Sequence, residues 1–230
     1  MSRAYNNKAI IPEFSWSNVD TVLLDMDGTL LDKYFDDYFW EEFVPLVYAE
    51  KNAMSIPEAT QQLMTRYRSV ESTLLWTDLD YWSQQLDLDI VDLKIKIDHL
   101  INVHPWVIEF LDFLQTMNKE VHLVTAAHSK TLDIKMRKVS LRPYFQSVIC
   151  AEDVGAAKEE RQFWQKLATI LGFQKSRTLL ADDTAQVLRA AHLYGISELI
   201  FVAKPSSRKP VEFSIEFPSI TTFKELIFSS

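Results

Sequence analysis

The sequence predicts an α/β fold, a Rossmann-like parallel sheet with helices on both faces that carries an inserted all-helical domain. Three observations point there. Val22-Leu23-Leu24, Val121-His122-Leu123-Val124-Thr125, Ser147-Val148-Ile149-Cys150 and Thr178-Leu179-Leu180-Ala181 are short apolar runs, and Glu198 to Val202 adds a fifth. Runs without polar alternation belong to strands buried on both faces, as in parallel sheets. From the second run onward, helical patterns separate the strands, which is the order of a parallel α/β sheet. Between the first and second runs, from Asp32 to Ile101, nothing reads as a strand. The predicted division is therefore a core of residues 1–31 and 102–230 with a helical insert at 32–101.

Each element has a local reason. Residues before Asp20 read as an irregular lead-in, with Pro12 blocking early regular structure. In the insert, Phe39, Phe43, Leu46 and Val47 recur at helical spacing, with Phe39 and Phe43 assigned to the core, and Pro45 should kink or interrupt that helix. Ser55-Ile56-Pro57-Glu58 offers a capping box, after which Leu63, Tyr67, Val70 and Leu74 share one helical face. Further helices are expected over 78–86 and 89–101. Pro105 suits a first helical turn, with Trp106, Phe110, Leu111 and Leu114 as its buried stripe. Ser129 can cap a helix carrying Leu132, Met136 and Val139. A loop through Gly155 leads to a helix bearing Phe163, Trp164, Leu167 and Leu171. Asp182-Asp183-Thr184 opens a helix with Val187, Leu188 and Ala191, and the tail from Lys204 reads as loop with a short helix near Thr222.

Composition narrows the function. Apolar residues make up 47% of the 230 positions, enough for a sizeable core. A formal net charge of −8 argues against nucleic acid as partner. Cys150 is the single cysteine and leaves no intramolecular disulfide, which suits a reducing compartment. No run has the length of a membrane span or signal peptide. The expected location is cytoplasmic, away from membranes.

The chemistry-bearing residues fall at strand ends, where parallel sheets bind ligands. Asp25 and Asp27 stand at i and i+2 after the first strand, with Gly28 next. Crowded carboxylates repel one another and lose hydration, so a cation or reaction partner must compensate. Gly28 allows a sharp exit whose freed amides can line an anion. This is a layout for a divalent metal plus a phosphate, although Asp-Gly turns also close ordinary strands. Thr125 offers a hydroxyl and Ala126 an amide to a phosphate oxygen, and a strand-end Thr is also a common turn former. Lys158 could bring a point charge to the phosphate, or lie solvated at a helix start. One helix cap accounts for one of Asp182 and Asp183 but leaves the other unexplained.

Asp25-Met26-Asp27-Gly28-Thr29-Leu30 resembles the first motif of the haloacid dehalogenase superfamily in its phosphatase form, and Thr125, Lys158 and Asp182/Asp183 follow in the order of its later motifs. The helical insert lies where that superfamily carries a helical cap. Phe35-Asp36-Asp37-Tyr38-Phe39-Trp40, Val44-Pro45, Leu79-Asp80-Tyr81-Trp82 and Lys158-Glu159-Glu160 are similar to the bacterial GMP/IMP nucleotidase group within it. One departure stands out, Ala126 where that group has Asn. The resemblance implies a Mg²⁺-dependent phosphomonoesterase acting on a small phosphate monoester, with purine nucleoside monophosphates as the expected substrates. It implies Asp25 as nucleophile and metal ligand, and Asp27 as acid–base group and backbone metal ligand. Asp183 would be an inner metal ligand and Asp182 an outer one, while Thr125, Ala126 and Lys158 would hold the phosphate. Tyr38, Trp40, Arg66, Arg68 and Trp76 are candidates for substrate contact from the cap. The alternatives are a sugar-phosphate phosphatase, a phosphoglucomutase-like mutase with the same nucleophile, or a non-catalytic binding module.

Overall fold

In the computed structural model, which describes residues 9–71 and 73–227, the five apolar runs form strands. They are β1 (Thr21–Leu24), β2 (Glu120–Thr125), β3 (Ser147–Cys150), β4 (Thr178–Asp182) and β5 (Glu198–Val202), all paired in parallel. A sixth strand, β6 (Ser219–Ile220), extends the edge beyond β5. The sequence predicts loop there, because two residues carry no period to read. The order β3-β2-β1-β4-β5-β6 puts the chain's first strand inside the sheet. The connections run one way from β1 through β2 to β3, then return to β1's other side with β4. Such a reversal opens a crevice outside the carboxyl ends of the strands.

Strand residues alternate between two cores. Val22, Leu24, Leu123 and Leu179 face α7 (Val107–Thr116), whose Phe110 stacks on Phe223 at 4.5 Å between ring centres. Leu23, Val124 and Leu180 face α10 (Arg161–Leu171) and α11 (Ala185–Tyr194) through Phe163, Trp164 and Leu188. Burying each such side chain contributes about 1.5–3 kcal/mol relative to exposure.

Every regular element among the insert's described residues is helical. The insert comprises α1 (Tyr34–Tyr38), α2 (Val44–Lys51), α3 (Ile56–Val70), α4 (Leu74–Thr77), α5 (Leu79–Leu86) and α6 (Ile90–Lys96). The chain enters and leaves it at adjacent points, where Leu31 bridges Val103 and the Asp32 N–H donates to the Asn102 carbonyl at 2.9 Å. The predicted capping box holds: the Glu58 N–H donates to Ser55 Oγ, and the Ser55 N–H donates to the Glu58 carboxylate at 3.0 Å. The interruption at Pro45 takes the form of a π turn over Phe39–Phe43, closed by the Val44 N–H on the Phe39 carbonyl. A wider turn relieves the clash between the proline ring and the carbonyl four residues back. One extra residue rotates later positions by about 100°, so Leu46 leaves the face it was expected to share and is exposed, while Phe43, assigned to the core, packs against it half-buried.

Other boundaries shift for local reasons. Thr73 bonds the Val70 carbonyl through its N–H and hydroxyl and ends α3, so Leu74 starts α4 on an exposed face. The helix expected over 89–101 divides at Ile97 into α6 and a 3-10 turn, Asp98–Leu100. Trp106 lies outside α7 with φ +68°, its ring 4.7 Å from the Lys224 ammonium, and Val107 takes its place in the stripe. His128 caps α8 (Ser129–Val139) in place of Ser129, its Nδ1 accepting from the Lys130 N–H at 3.3 Å. That helix buries Thr131 and Lys135, whereas Leu132, Met136 and Val139 are only half-buried. The loop before Gly155 contains α9 (Ala151–Val154), and α12 (Lys224–Ile227) is the short helix expected near Thr222. The lead-in over residues 1–8 lies outside the described residues; Trp16–Asn18 forms one 3-10 turn. Cys150 is buried and free. Among the described residues no helix is long and apolar enough to cross a membrane.

Candidate active site

The predicted residues meet where β1, β2 and β4 end. The Asp25 N–H donates to the Ala181 carbonyl at 3.1 Å, so the pairing with β4 holds the residue just past β1. Two residues on, Gly28 turns at φ +89°, and a Cβ there would stand 2.4 Å from Asp183 Oδ2. Only a residue without a side chain lets these two loops approach so closely. Lys158 is not solvated. Its side chain is 2% exposed, and its ammonium donates to Asp25 Oδ1 and Asp182 Oδ2, each at 2.7 Å, and to the Val124 carbonyl at 2.9 Å. Burial works against that charge, but Asp182 and Asp25 outweigh it and hold the ammonium's pKa above its ordinary value. The buried Trp164 indole donates to the Lys158 carbonyl at 2.8 Å, which anchors the loop on α10.

Thr125 is buried at the end of β2, and its Oγ1 accepts from the Ala127 N–H at 3.0 Å, leaving the hydroxyl proton available to donate. Ala126 is exposed beside it and lines the same cleft. Asp182 accepts from the Thr184 N–H at 2.8 Å, and Thr184, not either aspartate, is the cap residue of α11.

Carboxylate oxygens of Asp25, Asp182 and Asp183 lie within 4.8 Å of one another. Burial raises the pKa of Asp182 to about 7, with Lys158 opposing and Asp25 and Asp183 adding. Burial also raises that of Asp183, against the Lys33 ammonium 3.3 Å away. Three crowded oxygen donors of this kind fit a hard divalent cation, which would relieve their repulsion. The Asp27 side chain points elsewhere, to Lys135 at 2.5 Å. Burial pushes its carboxyl up to about 6; Lys135 opposes the shift and the Asp36 carboxylate adds to it.

A cleft of about 460 Å³ opens over these groups, within the size range of small-molecule sites, roughly 300–1,000 Å³. Trp40, Arg68 and Trp76 line it from the helical side. Two predicted contacts do not. Arg66 donates to the Gln85 carbonyl at 2.8 Å, and Tyr38 stacks on Phe43 at 6.3 Å. Sequence reasoning missed Lys33, Asp36, Lys94 and Lys135. The available signal for the last was a lysine directly beside Met136 in the apolar pattern of its helix.

Comparison with known proteins assigns the chain to a family. The family model of haloacid dehalogenase-like hydrolases matches residues 19–195. The chain is 36% identical over 213 residues to the GMP/IMP nucleotidase YrfG of Escherichia coli K12, covering 93% of this chain and 96% of that protein. The Shigella flexneri protein of the same name gives the same figures. Among solved structures, an HAD phosphatase from Thermococcus onnurineus superposes with TM-score 0.75 at 23% identity, covering 90% of this chain and 96% of its own. YfnB of Bacillus subtilis, bound to magnesium, superposes with TM-score 0.62 at 18% identity and the same coverage. At those identities the two structures speak to the fold. The chain belongs to the haloacid dehalogenase-like hydrolases. Within them it is an enzyme of the phosphatase kind.

Proposed function

We propose that the enzyme is a Mg²⁺-dependent purine 5′-nucleotidase that dephosphorylates GMP and IMP through an aspartyl-phosphate on Asp25. The observation that carries the reading is the meeting of Asp25, Asp27, Lys158 and Asp183 beneath one cleft walled by the helices. The 36% identity to a protein named for GMP and IMP supports the substrate class. In this reading residues 1–31 and 102–230 form the catalytic core and 32–101 the cap. The reaction would run in the cytoplasm, which agrees with one buried, unpaired cysteine.

A phosphate monoester dianion repels nucleophiles, so the site must align groups and offset charge. A carboxylate oxygen of Asp25 attacks phosphorus in line while the ester P–O bond breaks. Asp27 gives its proton to the departing oxygen, which a carboxyl with a pKa raised to about 6 is suited to do. It then takes a proton from water, whose oxygen attacks the aspartyl-phosphate and releases phosphate and Asp25. Thr125 and the Ala126 amide hold the remaining phosphate oxygens, joined by Lys158 once its ammonium turns one of its three protons from Asp25, Asp182 or the Val124 carbonyl toward the phosphate. Mg²⁺ would be held by Asp25, the Asp27 backbone carbonyl and Asp183, with Asp182 outside them, and when bound it supplies positive charge against the phosphate. Both oxygens of Asp182 already accept hydrogen bonds, from Lys158 and Thr184, which supports its outer role.

The test is phosphate release from GMP, IMP, AMP, CMP and glucose 6-phosphate, with Mg²⁺ and with excess EDTA. Turnover should favour GMP and IMP and vanish on chelation. Full activity in EDTA contradicts the metal, and equal rates across the panel contradict the purine preference.

A further inference from the structure

Asp27 is held by a cation that none of the reaction steps above uses. Lys135 Nζ donates to Asp27 Oδ1 and to Asp36 Oδ2, each at 2.5 Å, and Lys94 Nζ donates to Asp36 Oδ1 at 2.9 Å. The two lysine side chains are 1% and 2% exposed. Four charges of alternating sign thus run from the loop after β1, through α8, to α1 and α6 of the helical insert. Both ammoniums also lie near the Phe35 ring, at 5.2 and 4.9 Å from its centre. Burying two ammoniums is costly, and an apolar residue would fill the same space without that cost. Among the described residues no other hydrogen bond to the Asp27 carboxylate occurs, and Asp27 is one of the residues lining the cleft.

We propose that Lys135 is a positioning residue of the reaction: it fixes the Asp27 carboxyl at the leaving-group oxygen and, through Asp36, ties that placement to the seating of the cap. Asp36 lies four residues past Asp32, where the chain enters the insert. A cap displaced from the core draws Asp36 away from Lys135 and loosens the hold on Asp27. A seated cap completes the row. The inference rests on the reading of Asp27 as the acid–base group, and its test separates the two.

Wild type, Lys135→Met, Lys135→Arg and Asp27→Asn are compared on GMP and on p-nitrophenyl phosphate, whose leaving group needs little protonation. Acid–base help is typically worth about 10²–10⁴-fold. Lys135→Met should therefore lower kcat on GMP by about 10²-fold and on the aryl ester by less than about tenfold. KM should stay near wild type, and Lys135→Arg should recover part of the GMP rate. If Lys135→Met does not fold, the pair Lys135→Met with Asp36→Asn removes one charge of each sign and is read in the same way. An equal loss on both substrates, or a lowered Tm with unchanged kcat, overturns the positioning role. Absence of leaving-group dependence in Asp27→Asn overturns the acid–base reading instead.

Discussion

Asp182 and Asp183 are neighbours in the chain with different company. Asp182 is bound on both oxygens, by Lys158 at 2.7 Å and by the Thr184 N–H at 2.8 Å. Among the described residues Asp183 meets only the longer contacts of Lys33 and the Thr184 hydroxyl, both at 3.3 Å. The carboxylate pair was legible in the sequence, and so was the need for a compensating charge. Their inner and outer roles came only from the family resemblance, because the contacts that distinguish the two include a lysine 24 residues away. Lys158 therefore balances two carboxylates at once. Replacing it by Met leaves Asp25 and Asp182 facing each other in buried space. Breaking a buried pair typically costs about 3–5 kcal/mol. Lys158→Met should lose stability of that order in urea titrations without added metal, and should also lose phosphatase activity. A variant as stable as wild type would mean that the lysine charge is not what balances the pair.

At the scale of elements, type was easier to read than extent. The apolar runs specify buried strands, and the capping box at Ser55 fixes the start of α3. Trp106 and Leu46 escaped because a left-handed cap and a π turn shift the phase of a helical stripe without altering its composition. The elements also divide between stability and chemistry. Ser55→Ala removes a cap far from the cleft and should cost about 1 kcal/mol, with kcat unchanged. Trp164→Phe keeps most of the packing of α10 but removes the bond to the Lys158 carbonyl. A buried acceptor left without its donor costs about 1–3 kcal/mol, and here the loss also loosens the lysine loop. Denaturation curves and kcat for the two variants should thus separate, with activity falling only in Trp164→Phe. Equal activity in both would deny the indole its part in holding Lys158.

For the molecule as a whole, the site exists only through topology. Lys158 is 133 residues from Asp25, and Lys135 is 108 from Asp27 and 99 from Asp36. Strand-end position allowed Lys158 to be found in the sequence, since a parallel sheet gathers its strand ends along one edge. A lysine beside Met136 in an apolar pattern hints that Lys135 is buried, but nothing in one dimension tells which carboxylates it bridges. That bridge requires knowing how α1, α6 and α8 meet. In the proposed reaction Asp25 is the attacking group and Asp27 the proton carrier, and rapid mixing with p-nitrophenyl phosphate reads the two separately. Asp27→Asn keeps the attacking group and loses the proton carrier. It should show a burst of nitrophenol followed by a slow steady state, because hydrolysis of the intermediate then suffers more than its formation. Asp25→Asn should show no burst and form no phosphoenzyme. A burst from Asp25→Asn, or equal impairment of both variants on aryl and alkyl phosphates, would contradict the account.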